Sequence, residues 1–165
     1  MKVVSEFSYR NAREILEKKY PEILKEILEI LNDPRHKIDL TAAGSQRRLS
    51  APVQNWFVKK GWKKEQPTFS IEDLRYDLLK DNIPIEIELG HRRLVYADFF
   101  EFMADYSKEH IPLGIMIVTG DPNKFGHTWH NSLESTKRKI LAIKESFLVP
   151  ILVLAVDPWS GVMGR

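Results

Sequence analysis

The alternation of apolar and polar residues predicts a β-hairpin over residues 74–89. Apolar residues recur at every second position on both sides of the dipeptide Asp81-Asn82. Asp and Asn tolerate the positive φ angles of two-residue hairpin turns, so we place the turn at this dipeptide. In the resulting register one face is apolar and consists of Leu74, Tyr76, Leu78, Ile85, Ile87 and Leu89. A slip of one residue would bury the carboxylate of Asp77 without a partner, so the alternation selects this register.

The opposite face of the predicted hairpin collects three carboxylates. The register pairs Asp77 with Glu86, and it pairs Arg75 with Glu88. Like charges that lie directly opposite each other destabilise a sheet, which indicates a bound cation. Carboxylate oxygens are hard ligands of the kind that Mg²⁺ takes together with several waters. The alternative is a solvated hairpin face whose acids are neutralised by Arg75 and Arg92, and the spacing alone leaves both open.

The remaining pattern predicts alternating helices and buried strands. Helices are predicted over residues 10–32, 51–60, 95–109 and 132–146, and buried strands over residues 112–119 and 149–156. Pro21 opens a second segment in the first helical region, Ser50 caps the next helix, and Gly61 ends it. Asn131 or Ser132 caps the last helix. Gln54 is interpreted as a surface residue of that helix, with a place in a site as the alternative. The order of elements predicts a single α/β domain over residues 1–165, with three layers, a mixed sheet and an irregular tail over residues 157–165.

Composition restricts the class of protein. The 165 residues are 43% hydrophobic and 29% charged, as in ordinary globular proteins. The absence of cysteine excludes disulfides and thiolate metal sites. The first residues lack the apolar core of a signal peptide, and the longest apolar run is too short to span a bilayer. These features predict a cytoplasmic protein.

Basic residues occur in short clusters, although the net charge is only +2. The clusters are Arg35-His36-Lys37, Arg47-Arg48, Lys59-Lys60, Lys63-Lys64, His91-Arg92-Arg93 and Lys137-Arg138-Lys139. Such clusters either attract phosphates or form solvated faces. The polar and basic segment 41–50 likewise either wraps a phosphate backbone or is a mobile surface loop. No GxxxxGK[ST] loop is present, which argues against a nucleotide-driven motor.

With these elements placed, the chain resembles the PD-(D/E)XK nuclease superfamily. An acid on one strand faces an acid pair on the next, as Asp77-x8-Glu86-x-Glu88. Within that superfamily, the chain is similar to type II restriction endonucleases of the BglII/BstYI kind. The matching segments are Arg13-Glu-Ile-Leu, Pro21-Glu-Ile-Leu-Lys-Glu-Ile, Gly61-Trp-Lys, Gly114-Ile-Met-Ile-Val-Thr-Gly120 and Val149-Pro-Ile-Leu-Val. The similarity runs from about residue 5 to residue 158 and implies a restriction-endonuclease-like fold.

The resemblance implies a metal-dependent phosphodiester hydrolase. Asp77 and Glu86 would bind Mg²⁺ together with the main-chain carbonyl of Ile87. Glu88 stands where many relatives have Lys or Gln, and an acid there would hold a second metal or help to orient and deprotonate the attacking water. The residues implied to contact DNA are Arg47, Arg48, His91, Arg92, Arg93, Lys124, His127, His130 and Asn131.

The resemblance also implies partners. Relatives cut double-stranded DNA as homodimers, which suits a palindromic site, and the resemblance implies a GATC-centred sequence. The aromatic helix 95–109 would supply the dimer interface. A DNA methyltransferase would act beside the enzyme. The chain stops soon after the last predicted strand, whereas the enzymes it resembles continue, so site specificity is left open. The alternatives are a DNA-binding protein with an inactive nuclease fold and a repair or structure-selective nuclease.

Overall fold

A computed structural model describes residues 1–40, 46–90, 95–126 and 130–159. These residues form a six-stranded mixed sheet in the spatial order β1-β6-β5-β4-β3-β2. The strands are β1 Lys2–Tyr9, β2 Lys63–Pro67, β3 Arg75–Lys80, β4 Ile83–Glu88, β5 Gly114–Thr119 and β6 Ile151–Asp157. The helices are α1 Ala12–Lys19, α2 Pro21–Asn32, α3 Gln46–Val58, α4 Val95–Ser107 and α5 Leu133–Ala142, with a short 3-10 helix at Pro122–Phe125. β4, β5 and β6 run parallel, and the other pairs are antiparallel.

The sheet separates two hydrophobic cores. On one side, α1, α2 and α3 cover alternate residues of the central strands, such as Ile87 and Ile117. On the other side, α4 and α5 cover the intervening residues, such as Met116 and Val153. Because β5 and β6 are covered on both faces, every one of their residues is buried. The three-layer α/β fold predicted from the sequence is therefore confirmed.

Most predicted elements occur where the pattern placed them. Pro21 begins α2, and Asp81 and Asn82 have φ angles of 50° and 60° in the hairpin turn. The Ser132 side chain caps α5 by accepting a hydrogen bond from the Ser135 N–H. Gly61, at φ 86°, follows the end of α3.

Three assignments at the periphery were wrong or missing. α3 begins at Gln46, so Pro52 lies inside the helix and Ser50 is not its cap. Leu49, in the first turn of α3, is buried in the core, and this burial explains the earlier start of the helix. The sequence interpretation lacked β1 and β2, which are edge strands with polar, partly exposed residues. Polar residues protect sheet edges from pairing with other chains, and they also hide the strand pattern.

Gly114 provides a test of the packing between the sheet and α4. A Cβ atom added at Gly114 would lie 2.9 Å from Cδ1 of Ile151 and 2.9 Å from two ring carbons of Phe102. Both neighbours are fully buried, so they have little room to move. We expect Gly114→Ala to lower the free energy of unfolding by about 1–3 kcal/mol, as overpacked cores do. Urea unfolding measures this change, and an unaltered midpoint would contradict it.

No helix in the described part of the chain has the length and apolar composition needed to cross a membrane.

Candidate active site

The β3–β4 hairpin has the predicted register, but its ladder ends early. Leu78 pairs with Ile85, Leu79 with Pro84, and Lys80 with Ile83. Beyond these pairs, a side-chain oxygen of Asp77 accepts the hydrogen bond that a main-chain carbonyl of β3 would accept in a regular ladder. Oδ2 of Asp77 accepts a hydrogen bond from the Ile87 N–H at 2.8 Å. A carboxylate is therefore held between two diverging strands.

The predicted apolar face of the hairpin is wrong at Tyr76. Tyr76 does not lie beside Leu78 and Ile87; it packs on the opposite side of the sheet, stacked on Phe102 with ring centroids 5.9 Å apart. The Tyr76 hydroxyl donates to Oδ2 of Asp105 on α4 at 2.6 Å. The alternation changes face at Asp77, where the regular pairing stops. Leu78, Ile85, Ile87 and Leu89 do share one core, as predicted.

The predicted pairing of Arg75 with Glu88 does not form either. Arg75 is exposed and donates instead to the main-chain carbonyl oxygen of Glu65, at 3.1 Å. Glu88 is buried and faces α4.

Asp77 is held by neutral donors. Its Oδ1 accepts a hydrogen bond from Nε2 of Gln54 on α3 at 2.7 Å, and the same amide lies 3.3 Å from Oε1 of Glu65 on β2. Burial raises the pKa of Asp77 to about 6, and the neighbouring carboxylate of Glu65 adds to this effect. The hydrogen bonds from Ile87, Gln54 and Glu86 oppose it. The carboxyl group therefore gains a proton more readily than an exposed aspartate.

Glu86 and Glu88 are buried beneath α4 and are not part of a solvated face. Only 4% of Glu86 and 5% of Glu88 is exposed. α4 contributes Asp98 and Glu101, which are buried as well. The carboxyl groups of Glu86 and Glu101 are hydrogen-bonded to each other. The predicted group of three acids is thus part of a larger buried set.

Mutual repulsion and burial favour the protonated forms of these acids. Burial raises the pKa of Glu86 well above its usual range, and the charges of Asp98 and Asp77 raise it further. The pKa of Asp98 is raised by burial and then by the charge of Glu88. Burial raises the pKa of Glu101 to about 7. Among the described residues, no lysine or arginine forms an ion pair with Asp77, Glu86, Asp98 or Glu101.

The donor atoms fit a hard cation, although the described side chains do not form a complete cage. Within the described ranges, no group of three or more His, Asp or Glu side chains is arranged to hold a metal ion. Asp77 and Glu86 supply two carboxylates, and Oε1 of Glu86 is buried without a hydrogen-bond partner. Mg²⁺ takes one or two protein carboxylates and fills its remaining positions with water, main-chain oxygen or phosphate. Two neighbouring carboxylates satisfy that requirement.

A model of the restriction endonuclease BglII/BglIII family matches residues 4–156. The chain belongs to this family. The match covers both strands of the hairpin and all five helices, and membership identifies the chain as a type II site-specific DNA endonuclease.

The fold of this BglII-family nuclease is also that of a solved structure. The crystal structure of restriction endonuclease BglII complexed with a DNA 16-mer matches with a TM-score of 0.74 at 20% sequence identity. The match covers 95% of this chain and 77% of that chain. No curated protein sequence matches the chain significantly.

Four residues of the candidate site were missed in the sequence or given another role. Gln54 was interpreted as a surface residue, and Glu65, Asp98 and Glu101 were not considered. Asp98, Glu101 and Asp105 recur at helical spacing and lie on one face of α4. That spacing was a usable signal, but the abundant aromatic residues of α4 obscured it. No comparable signal identifies Glu65.

The residues predicted to contact DNA are distributed unevenly. Lys124 forms an ion pair with Asp157 at 2.5 Å. His130 and Asn131 are buried, and the Asn131 side-chain amide donates to the Thr136 hydroxyl at 2.9 Å. Four candidates lie outside the described residues: His91, Arg92, Arg93 and His127. Arg47 and Arg48 lie in the first turn of α3, and their side chains are outside the description as well.

The backbone of Asn131 connects the segment after β4 to the rest of the sheet. Its N–H donates to the carbonyl oxygen of Gly90 at 2.6 Å, two residues after Glu88. Its carbonyl oxygen accepts from the Thr119 hydroxyl at 2.7 Å. Asn131 therefore links the ends of β4 and β5, and its Oδ1 is buried without a partner.

Proposed function

We propose that this chain is a Mg²⁺-dependent restriction endonuclease that cleaves double-stranded DNA at a palindromic site. The observation that carries the proposal is the Asp77 carboxylate, which replaces a ladder hydrogen bond between β3 and β4 and lies next to Glu86. A partly buried acid at a break in the pairing of a sheet is costly to folding, and costly arrangements of this kind are typical of functional sites.

The proposed metal ligands are Asp77, Glu86 and the carbonyl oxygen of Ile87. In a strand, the N–H and C=O of one residue point to the same side. Because the Ile87 N–H reaches Asp77, the Ile87 carbonyl faces the same opening. A bound Mg²⁺ would stabilise negative charge on the phosphoryl oxygens and lower the pKa of a bound water.

Glu88 is proposed to orient the attacking water. It follows Glu86 by two residues on β4, so both side chains leave the same face of the strand. A carboxylate within hydrogen-bonding reach of water can also accept its proton. In this proposal Glu86 binds the metal, and Glu88 orients the water and accepts its proton.

The residues proposed to contact DNA are Arg47, Arg48, His91, Arg92, Arg93, Lys124, His127, His130 and Asn131.

A homodimer is proposed to present two active sites to the DNA. Tyr96 and Phe100 of α4 are more than half exposed, whereas Phe99 and Phe102 are covered by the core of the same chain. The exposed pair is therefore the part of the aromatic surface that remains for a second copy. A twofold dimer suits a palindromic sequence, which we propose is GATC-centred. We place the enzyme in the cytoplasm beside a protective DNA methyltransferase.

Digestion of a fully sequenced plasmid or phage DNA tests this function. With Mg²⁺ we expect discrete fragments whose mapped ends share one palindromic sequence. With Ca²⁺ in place of Mg²⁺ we expect binding in a gel-shift assay and no cutting. Salt-sensitive binding without cleavage in any divalent ion would indicate an inactive nuclease fold instead. Random nicking, or a preference for branched DNA, would indicate a repair or structure-selective nuclease.

A further inference from the structure

Gln54 is the side chain that connects α3 to the proposed metal site. Only 7% of the residue is exposed, and it reaches across the end of the hairpin from the opposite layer of the fold. Its amide nitrogen donates to Oδ1 of Asp77 at 2.7 Å and lies 3.3 Å from Oε1 of Glu65. A single NH₂ group therefore stands between two carboxylates.

The two oxygens of Asp77 are fixed by different elements. Gln54 of α3 donates to Oδ1, and the Ile87 N–H of β4 donates to Oδ2. Two hydrogen bonds to opposite oxygens define the plane of the carboxylate. A carboxylate has about four lone-pair directions on its two oxygens, so these two hydrogen bonds do not use up the capacity of Asp77 to accept further partners.

The chemistry of Gln54 suits this task better than a charged donor would. A lysine or arginine at the same place would neutralise Asp77 and oppose a cation. An amide donates a hydrogen bond and leaves the negative charge of the carboxylate intact. Neutral donors that orient a metal-binding side chain are a general feature of metal sites.

The backbone conformation of Glu65 supports a functional role for its contact with Gln54. Glu65 has a φ of 53°, which is uncommon for a residue other than glycine. The pairing of β2 with β3 skips this position, since Lys64 pairs with Leu78 and Gln66 with Tyr76. The irregularity brings the Glu65 carboxylate within reach of the Gln54 amide. The regular pairing of β3 is therefore interrupted on both sides at Asp77, and Gln54 contacts both Asp77 and Glu65 at this interruption.

We propose that Gln54 is a positioning residue that holds the Asp77 carboxylate in its metal-binding orientation. The inference rests on the proposed function, because it assigns Gln54 to the metal site of that reaction. In this role Gln54 acts through Asp77 and not directly on DNA or on the reacting atoms. Its effect is exerted on the affinity of Asp77 for the metal.

The test uses Gln54→Leu and Gln54→Met, which remove the donor with two different apolar shapes. The control is Gln66→Leu, since Gln66 on β2 donates only to the carbonyl oxygen of Lys64 among the described contacts. Urea unfolding and circular dichroism establish that each variant is folded. Calorimetric titration with Mn²⁺ measures metal binding without DNA, and cleavage is measured over a range of Mg²⁺ concentrations.

In both Gln54 variants we expect the dissociation constant for Mn²⁺ to rise roughly 10- to 100-fold, as for other residues that orient metal ligands. The Mg²⁺ concentration for half-maximal cleavage should rise in parallel, while the rate at saturating Mg²⁺ stays within about threefold of wild type. The Gln66→Leu variant should match wild type in both assays. Unchanged Mn²⁺ binding in folded Gln54 variants would overturn the positioning role and leave the proposed function standing. A wild-type protein that neither takes up Mn²⁺ nor cuts DNA would overturn both.

Discussion

Replacing Glu86 with glutamine is expected to abolish DNA cleavage while making the metal-free protein more stable. The amide keeps the size of the side chain and removes a proposed metal ligand. We expect cleavage to fall at least about a thousandfold, which corresponds to about 4 kcal/mol of lost transition-state stabilisation. At the same time, the neighbours of Glu86 lose a repelling carboxylate, because Asp98, Asp77 and Glu101 all raise the pKa of Glu86 through their charge.

The opposite changes in activity and stability separate a catalytic role from a folding defect. A variant that merely misfolds loses both activity and stability. Cleavage rates under single-turnover conditions and urea unfolding at pH 8 with EDTA measure the two quantities. The matched control is Glu72→Gln, since Glu72 is an exposed acid that precedes the hairpin, and we expect it to cut at the wild-type rate. Full activity in the Glu86 variant would refute the proposed mechanism.

Replacing Asp77 with asparagine should lower stability as well as cleavage, unlike the change at Glu86. Asp77 accepts hydrogen bonds on both oxygens, from Gln54 and from the Ile87 N–H. An asparagine has only one acceptor oxygen, so one of these donors would face an NH₂ group. We therefore expect Asp77→Asn to lose cleavage and also to lose about 1–3 kcal/mol of stability.

The sequence was sufficient for the features that depend on local chemistry. The turn at Asp81-Asn82 and the alternation around it determine the pairing of Leu78 with Ile85. Pro21, Gly61 and Ser132 mark helix ends through backbone preferences that act within a few residues. The buried strands β5 and β6 follow from uninterrupted apolar runs. These signals need no knowledge of the rest of the fold.

The features that were missed depend on contacts between distant segments. Tyr76 changes face because Asp77 bonds to Ile87 and ends the ladder, and a simple alternation cannot include that exception. Glu65 and Gln54 meet Asp77 only after β2 and α3 are in place. Charged residues are rarely buried, so the acids of α4 were not considered as part of a buried site. The site therefore violates the rules that made the rest of the chain predictable, as functional sites often do.

The free energy of unfolding of the metal-free protein is expected to fall as the pH rises from about 4 to about 8. The pKa of Asp77 is raised from 3.8 to about 6, and that of Glu101 from 4.5 to about 7. An acid whose pKa is raised by folding binds its proton more tightly in the folded state. Its contribution to stability is complete below its unfolded pKa and is lost as the pH passes its folded pKa. For Asp77 alone the loss is about 3 kcal/mol, since one pKa unit corresponds to 1.36 kcal/mol.

The N-terminal amine acts in the opposite direction and must be separated from the acids. Burial lowers its pKa to about 6, so folding favours its neutral form and stability rises with pH through that range. Wild type and Glu86→Gln share this amine, and the difference between their unfolding curves therefore removes it. We expect the wild type to lose more stability than Glu86→Gln between pH 5 and pH 8, and identical slopes would contradict the repulsion among the buried acids.

Divalent ions should restore the free energy of unfolding that the metal-free protein loses at high pH. The size of this gain should itself depend on pH. Carboxylates bind metal in their deprotonated form, so Mn²⁺ has to displace protons at pH 5 but finds ionised ligands at pH 8. A ligand that binds only the folded state stabilises by RT ln(1 + [L]/Kd), which gives about 2.7 kcal/mol at a hundredfold excess over Kd. Urea unfolding with and without Mn²⁺ should show a larger gain at pH 8 than at pH 5, and the Glu86→Gln variant should gain less at pH 8. Equal gains at both pH values would indicate that the ion binds elsewhere, because only ligands that titrate between these values link metal uptake to proton release.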